Sequence, residues 1–169
     1  MRHIISALVE NEAGVLSRVV GLFSARGFNI ETLTVAPVGD GATSRITLVT
    51  RGEDAIIEQI LKQLNKLVPV IQVADLTEGP HVERELMLVK VATDKETRAE
   101  VLRLADIFRS RIVDATPTSF MIEVTGDSGK LDACLALLTP LGVTEMVRTG
   151  HVALARGEKG MSNTRTTHH

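Results

Sequence analysis

Two rhythms of apolar and polar positions run along this chain, and they appear in the same order twice. Residues 2–9 (RHIISALV) are β-branched and apolar enough for a buried strand, and ENEAG then breaks the run. From Val15 the apolar side chains fall at Val15, Leu16, Val19, Leu22 and Phe23, the spacing of one helical face. Gly27 follows, where a helix ends most easily on a residue that tolerates positive φ. NIETLTVAPV reads as a strand, GDGA as a tight turn and TSRITLVTR as its hairpin partner. Ile56, Ile57, Ile60, Leu61 and Leu64 predict a second helix, and residues 70–76 a closing strand. The order is β-α-β-β-α-β, the ferredoxin-like split βαβ unit.

After the connector TEGPH the order returns. ELMLVKVA predicts a strand, and ETRAEVLRLADIF a helix with Val101, Leu104, Ala105 and Phe108 on one side. RIVDAT and SFMIEVTG pair across Pro117-Thr118, LDACLALL is a helix, and a final strand is expected through Val152 and Leu154. A shift of 85 positions lays Leu22-Phe23-Ser24-Ala25-Arg26 on Ile107-Phe108-Arg109-Ser110-Arg111. The identity is thin, but the matched element order makes a structural repeat the better reading. The expected architecture is therefore α+β, with two ferredoxin-like domains in tandem at residues 1–78 and 79–156. Residues 157–169 lack periodicity and are expected to be a disordered tail.

Such a sheet carries helices on one face only, yet its strands here are apolar on both. Ile4 and Leu8 oppose Ile5, Ala7 and Val9, while Leu86 and Leu88 oppose Met87, Val89 and Val91. A two-sided apolar strand implies a cover for the second face: the other half, another copy or another protein. Self-association is expected.

Composition narrows the function by exclusion. With 19 Lys+Arg against 21 Asp+Glu the net charge is −2, which supplies no cationic field for nucleic-acid phosphates. Aromatic residues are 2% of the chain, so there is no platform on which bases could stack. One cysteine excludes an internal disulfide and suits a reducing compartment. The opening MRHIISALVENEAG is charged within its first apolar stretch, and no run approaches the ~20 apolar residues of a membrane span. A cytoplasmic protein without nucleic-acid or membrane partners is expected.

The catalytic inventory is poor. His3, His81 and His151 fall in different elements without metal-ligand spacing, and Cys134 sits between Leu131 and Leu138 on an apolar helical face. No metal site and no catalytic residue is expected. GDSGK (residues 126–130) fails as a phosphate loop, because Val124 and Leu131 stand where glycine and Ser/Thr are needed. Asp127 or Ser128 as a helix N-cap accounts for that segment.

One segment offers chemistry. Glu10-Asn11-Glu12-Ala13-Gly14 stands between the first strand and first helix, directly before Val15-Leu16. The free N–H groups of a helix's first turn, at the positive end of its dipole, attract a carboxylate. Gly14 keeps no side chain between ligand and backbone, Asn11 offers a donor and an acceptor, and Gly27-Phe28-Asn29-Ile30 brings further amides to the next strand. The same residues also read as an Asn turn, a helix cap and a C′ glycine, and the residues alone leave both readings standing. The second half has no matching glycine loop (Ala99 is the equivalent position), so any such site occurs once per chain.

VENEAGVLSRVVGLFSARGFNIETLTVAP (residues 9–37) resembles the N-terminal ACT domain of acetolactate synthase small subunits. HVERELMLVKV, FRSRIVDATP and GKLDACL resemble the C-terminal domain of that family, with Thr32 and Cys134 as mild departures. The resemblance implies a non-catalytic regulatory subunit whose first domain is an ACT domain. Its catalytic partner would be the large subunit, which uses thiamine diphosphate, Mg²⁺ and FAD to condense 2-oxo acids on the route to branched-chain amino acids. No cofactor is implied for this chain. The small subunit of that family raises the large subunit's activity and confers feedback inhibition, usually by valine. ACT domains pair side by side in a homodimer with the amino acid at the interface. Carried over, Asn11, Gly14, Val15 and Leu16 would take the carboxylate and frame the side chain, while Asn29 and Ile30 would come from the neighbouring copy.

A ligand as small as valine contributes on the order of −4 to −7 kcal/mol, a Kd of about 1 mM to 10 µM. It regulates only by binding one arrangement of the dimer better than another. A stand-alone amino-acid sensor is the alternative, but the second half repeats the β-α-β-β-α-β order where an output element such as a helix-turn-helix would stand.

Overall fold

A computed structural model of the chain describes residues 1–161. The expected disordered tail from residue 162 onward lies outside the described residues. The chain divides into two compact units, Met1–Val82 together with the segment from His151, and Glu83–Gly150.

The first unit runs β1 (Arg2–Glu10), α1 (Val15–Ala25), β2 (Ile30–Val38), β3 (Thr43–Arg51), α2 (Asp54–Lys66) and β4 (Val70–Asp75). The sheet order is β2-β3-β1-β4 with antiparallel neighbours throughout. This is the split βαβ arrangement that the alternating periods imply. Ile5, Ala7 and Val9 of β1 pack with Val19 and Phe23 of α1 and with Ile57, Ile60 and Leu64 of α2. Leu16 and Leu22, counted on the inward face by spacing alone, are less enclosed: Leu22 is partly buried and Leu16 is 39% exposed.

The face of this sheet away from the helices is also buried. Ile4 and Val49 form a second apolar cluster there with Leu76 and Ala153. Its cover includes the last strand of the chain, β9 (Val152–Ala155), which lies with the first unit. Ser6 sits between Ile4 and Leu8, opposite Thr47 and Ala74, and its buried hydroxyl has no hydrogen-bond partner.

The second unit contains most of β5 (His81–Ala92), then α3 (Arg98–Ile107), β6 (Arg111–Thr116), β7 (Ser119–Gly126), α4 (Ser128–Gly142) and β8 (Val143–Arg148). Its strands lie in the order β6-β7-β5-β8, the same topology again, and β9 adds a fifth strand by pairing with β5 off this path. Met87, Val89 and Val91 face Val101, Leu104, Leu131, Cys134 and Leu138 in its core. Burial pushes the Cys134 thiol up from its ordinary value, as suits a packed side chain rather than a nucleophile. Asp127 caps α4, accepting from the Lys130 amide at 2.9 Å.

The expected final strand of the second repeat is corrected. β8 takes its place in the main strand order, pairing antiparallel with β5. The stretch around Val152 and Leu154 does form a strand, β9, which pairs with β5 off that path and lies with the first unit. Val152 and Leu154 are 50% and 62% exposed, whereas Ala153 between them is buried. The larger apolar side chains therefore point outward in β9 and the small ones inward. The stretch VTEMVR escaped notice because four of its six residues are exposed, leaving no apolar alternation to read.

Candidate functional site

The loop between β1 and α1 is anchored to the tip of the β2–β3 hairpin. The Asn11 amide N–H donates to the Ala42 carbonyl at 2.9 Å, and Asn11 Nδ2 donates to the Gly41 carbonyl at 2.8 Å. Gly39 and Gly41 both take positive φ in that turn, which glycine adopts without a Cβ penalty. Asn11 is thus a brace between two loops. With its NH₂ group committed to Gly41, the side-chain oxygen is the atom left to accept from a ligand's donor.

Gly14 is the N-cap of α1, with φ 84° and ψ −10°. A Cβ there would meet nothing within 4 Å, so the left-handed backbone and not crowding calls for glycine. No side chain caps this helix and its first turn holds no acidic residue. The first N–H groups, at the positive end of the dipole, are left without the side-chain acceptor that most helix starts carry. Val15 is buried into the core while Leu16, at the same helix start, leaves apolar surface half-exposed.

Asn29 and Ile30 stand elsewhere. Gly27, at φ 76°, ends α1, and the exposed Asn29 leads into β2. The Asn29 carbonyl accepts from Thr50 Oγ1 at 2.8 Å. Gly52 keeps this corner closed, because a Cβ there would fall within the Phe28 ring. Ile30 pairs with Thr50 and Val38 with Thr43, while Arg2 pairs with Arg51 and Glu10 with Thr43. Asn29 and Ile30 therefore lie at the Arg2 end of the sheet, and Asn11 to Leu16 at the Glu10 end. At ~3.4 Å per residue the two ends are about 27 Å apart. One chain brings Asn11, Gly14, Val15 and Leu16 together and leaves Asn29 and Ile30 remote from them.

A cluster that sequence spacing did not reveal surrounds His3. Its Nδ1 lies 2.8 Å from Asp75 Oδ2 and its Nε2 2.9 Å from Asp54 Oδ1, joining β1 to the end of β4 and the start of α2. A cavity of about 280 Å³ opens here, lined by His3, Asp54, Glu58, Leu61, Asp75 and Glu78. The two carboxylates lie 51 and 72 residues from His3 along the chain, so only the fold could bring them to it. The second unit has its own counterpart: Arg148 grips the buried Glu85 carboxylate in a fork, at 2.8 and 3.0 Å, and reaches Asp132 at 2.6 Å. These bonds to Glu85 hold the Arg148 guanidinium above its ordinary value. Both clusters tie elements together. Among the described residues no group of three or more His, Cys, Asp or Glu side chains is arranged to hold a metal ion.

Comparison with known proteins matches both halves of the chain to one family. Residues 5–72 match the family model of the AHAS small subunit-like ACT domain, and residues 84–157 that of the small subunit of acetolactate synthase. The acetolactate synthase isozyme 3 small subunit of Escherichia coli is 52% identical over 162 residues, covering 95% of this chain and 99% of that one. The probable acetolactate synthase small subunit of Archaeoglobus fulgidus is 51% identical over 159 residues, covering 94% and 99%. The crystal structure of the small subunit from Thermotoga maritima superposes with a TM-score of 0.85 at 41% identity, covering 94% of this chain and 99% of that one. The chain belongs to the family of acetolactate synthase small subunits.

Proposed function

We propose that the chain is the non-catalytic regulatory subunit of acetolactate synthase, raising the activity of the large subunit and conferring feedback inhibition by valine. The observation that carries the effector reading is the separation of the two halves of the site. Two copies related by a two-fold axis, with their β2 edges antiparallel, set the Ile30 end of one sheet beside the Val38 end of the other. Asn29 and Ile30 of one copy then approach the uncapped α1 start of its neighbour, about the span that a single chain cannot close. Val35, 41% exposed on that edge strand, supplies apolar surface for such a pairing.

In this arrangement valine's carboxylate takes the α1 amides after Gly14, its ammonium meets the Asn11 side-chain oxygen, and its isopropyl group lies against Leu16. Closing the site across two copies makes ligand binding depend on dimer geometry, which is how so small a ligand acts on a large partner. Thiamine diphosphate, Mg²⁺ and FAD belong to the large subunit, and this chain holds none of them.

Reconstitution tests the reading. The purified chain alone should show no acetolactate formation; added to its large subunit it should raise the rate, and valine should lower that rate again. A dimer at micromolar concentration in sedimentation should accompany this. Turnover by the chain alone, or a reconstituted enzyme indifferent to valine, leucine and isoleucine, would sink it.

A further inference from the structure

After Gly150, whose φ of 86° turns the chain, residues 151–155 lie on the first unit. His151 and Ala153 are 6% and 4% exposed, and Ala153 packs with Ile4, Val49 and Leu76 on the sheet face opposite the helices. Polar contacts fix the segment sideways. Thr32 Oγ1 lies 3.2 Å from His151 Nδ1, Arg45 Nη2 donates to the Ala153 carbonyl at 2.9 Å, and the Arg156 amide donates to the Pro80 carbonyl at 2.9 Å. Thr32 stands two residues beyond Ile30 on β2, the strand that would carry the neighbour's share of the effector contacts.

We propose that residues 151–155 form a strap through which effector binding at the start of β2 reaches the rest of the chain, with Thr32 and Arg45 as its positioning residues. The inference rests on the reading of Asn29 and Ile30 as effector contacts. An element that transmits a signal must have two arrangements close in free energy. The strap is held as a strand by its pairing with β5, so the arrangement free to change is its seat on the sheet face of the first unit. It buries small side chains, Ala153 and in part Ala155, which return little apolar area. Against this, burial desolvates the Arg45 guanidinium and lowers its pKa from the ordinary value, and the Ser6 hydroxyl on the same face is enclosed without a partner. Lifting the strap rehydrates Arg45 and opens a path for water to Ser6. A shift of β2 that moves Thr32 against His151 therefore changes how the strap sits on that face. The strap follows directly on Gly150 and β8 in the chain.

The test separates binding from response. Thr32→Val removes the hydroxyl at nearly constant shape, Arg45→Met keeps the aliphatic stem without the donor, and Thr32→Ser restores the hydroxyl. Each full-length variant is titrated with valine by calorimetry and assayed for inhibition after reconstitution with the large subunit. Thr32→Val and Arg45→Met should bind valine within about twofold of wild type, yet need about fivefold more valine for half-inhibition, or lose most of the maximal inhibition. Thr32→Ser should behave as wild type. Inhibition that still follows binding in both variants overturns the strap. Should a variant fold poorly, hydrogen exchange on the wild-type chain decides: valine should change protection at residues 152–155 as well as in β2, and unchanged protection there overturns the proposal. No valine binding by the wild type would instead overturn the effector reading, a result distinct from binding that stays coupled.

Discussion

The two units begin their first helices in opposite ways. At the start of α3 the Asp94 carboxylate accepts from the Glu96 and Thr97 amides, both at 2.8 Å, and from the Thr97 hydroxyl at 3.1 Å. These bonds, that from the Thr97 amide foremost, hold the Asp94 carboxyl below its ordinary value. At the start of α1 no side chain plays that part, and a left-handed glycine occupies the cap. One helix start is closed by the chain's own carboxylate; its counterpart has no such acceptor, as the proposed effector site requires. A shared topology thus fixes where a site can form, and a single capping side chain decides whether it does.

The largest expected effect tests whether the second unit is purely a built body. Glu85→Gln leaves Arg148 without its buried carboxylate and should cost about 3–5 kcal/mol of that unit's stability. Denaturant unfolding reads this, while calorimetry should find valine affinity unchanged; a large loss of affinity would break the separation drawn between the units. Gly14→Asp makes the first helix start resemble the second. The new carboxylate competes for the same amides, and the loss of about 1.5–3 kcal/mol is roughly a 10- to 150-fold weaker valine response with activation of the large subunit retained. Gly14→Ala is its control, carrying the left-handed strain without the charge. An unchanged valine dose-response in Gly14→Asp would remove this loop from the site.

Asn29→Ala, at the far end of the sheet, should weaken valine by about 1 kcal/mol, roughly fivefold, since one neutral contact is lost. Loss of that size without any effect on dimerisation supports a contact supplied by the neighbouring copy, and no change in valine response counts against it. The smallest effect belongs to Asp94→Asn. A carboxyl whose folded pKa is depressed stabilises above its ordinary value of 3.8, and that stability disappears as pH falls through the lower, folded value. The melting temperature of wild type should exceed that of Asp94→Asn at neutral pH, and the difference should close below pH 3.8. A difference that persists in acid would assign the effect to something other than this carboxylate.

Much of this comparison was legible in the chain itself. Helix periodicity places Val19 and Phe23 inward, and the glycine at 14 marks the uncapped start because glycine takes its positive φ without a Cβ penalty. What escaped was of two kinds. Exposed edge strands such as β8 carry no apolar alternation, so the period test is silent there. Clusters such as His3 with Asp54 and Asp75, or Glu85 with Arg148, join residues far apart in the chain, and only strand register brings them together. The separation of Asn29 from Asn11 is of the same kind. Local reading names both residues and the resemblance assigns Asn29 to the neighbouring copy, but only strand pairing gives the physical reason that one chain cannot unite them.

The docking of β9 has a consequence for how the protein is born. Arg45 waits for Ala153, 108 positions later, and Thr32 for His151, 119 positions later. At roughly 5–20 residues per second of synthesis, the first sheet stands with one face uncovered for about 5–25 s while the whole second unit emerges. The nascent protein therefore completes its first-made half last, and a chaperone that binds exposed β-sheet surface has its opening during that interval.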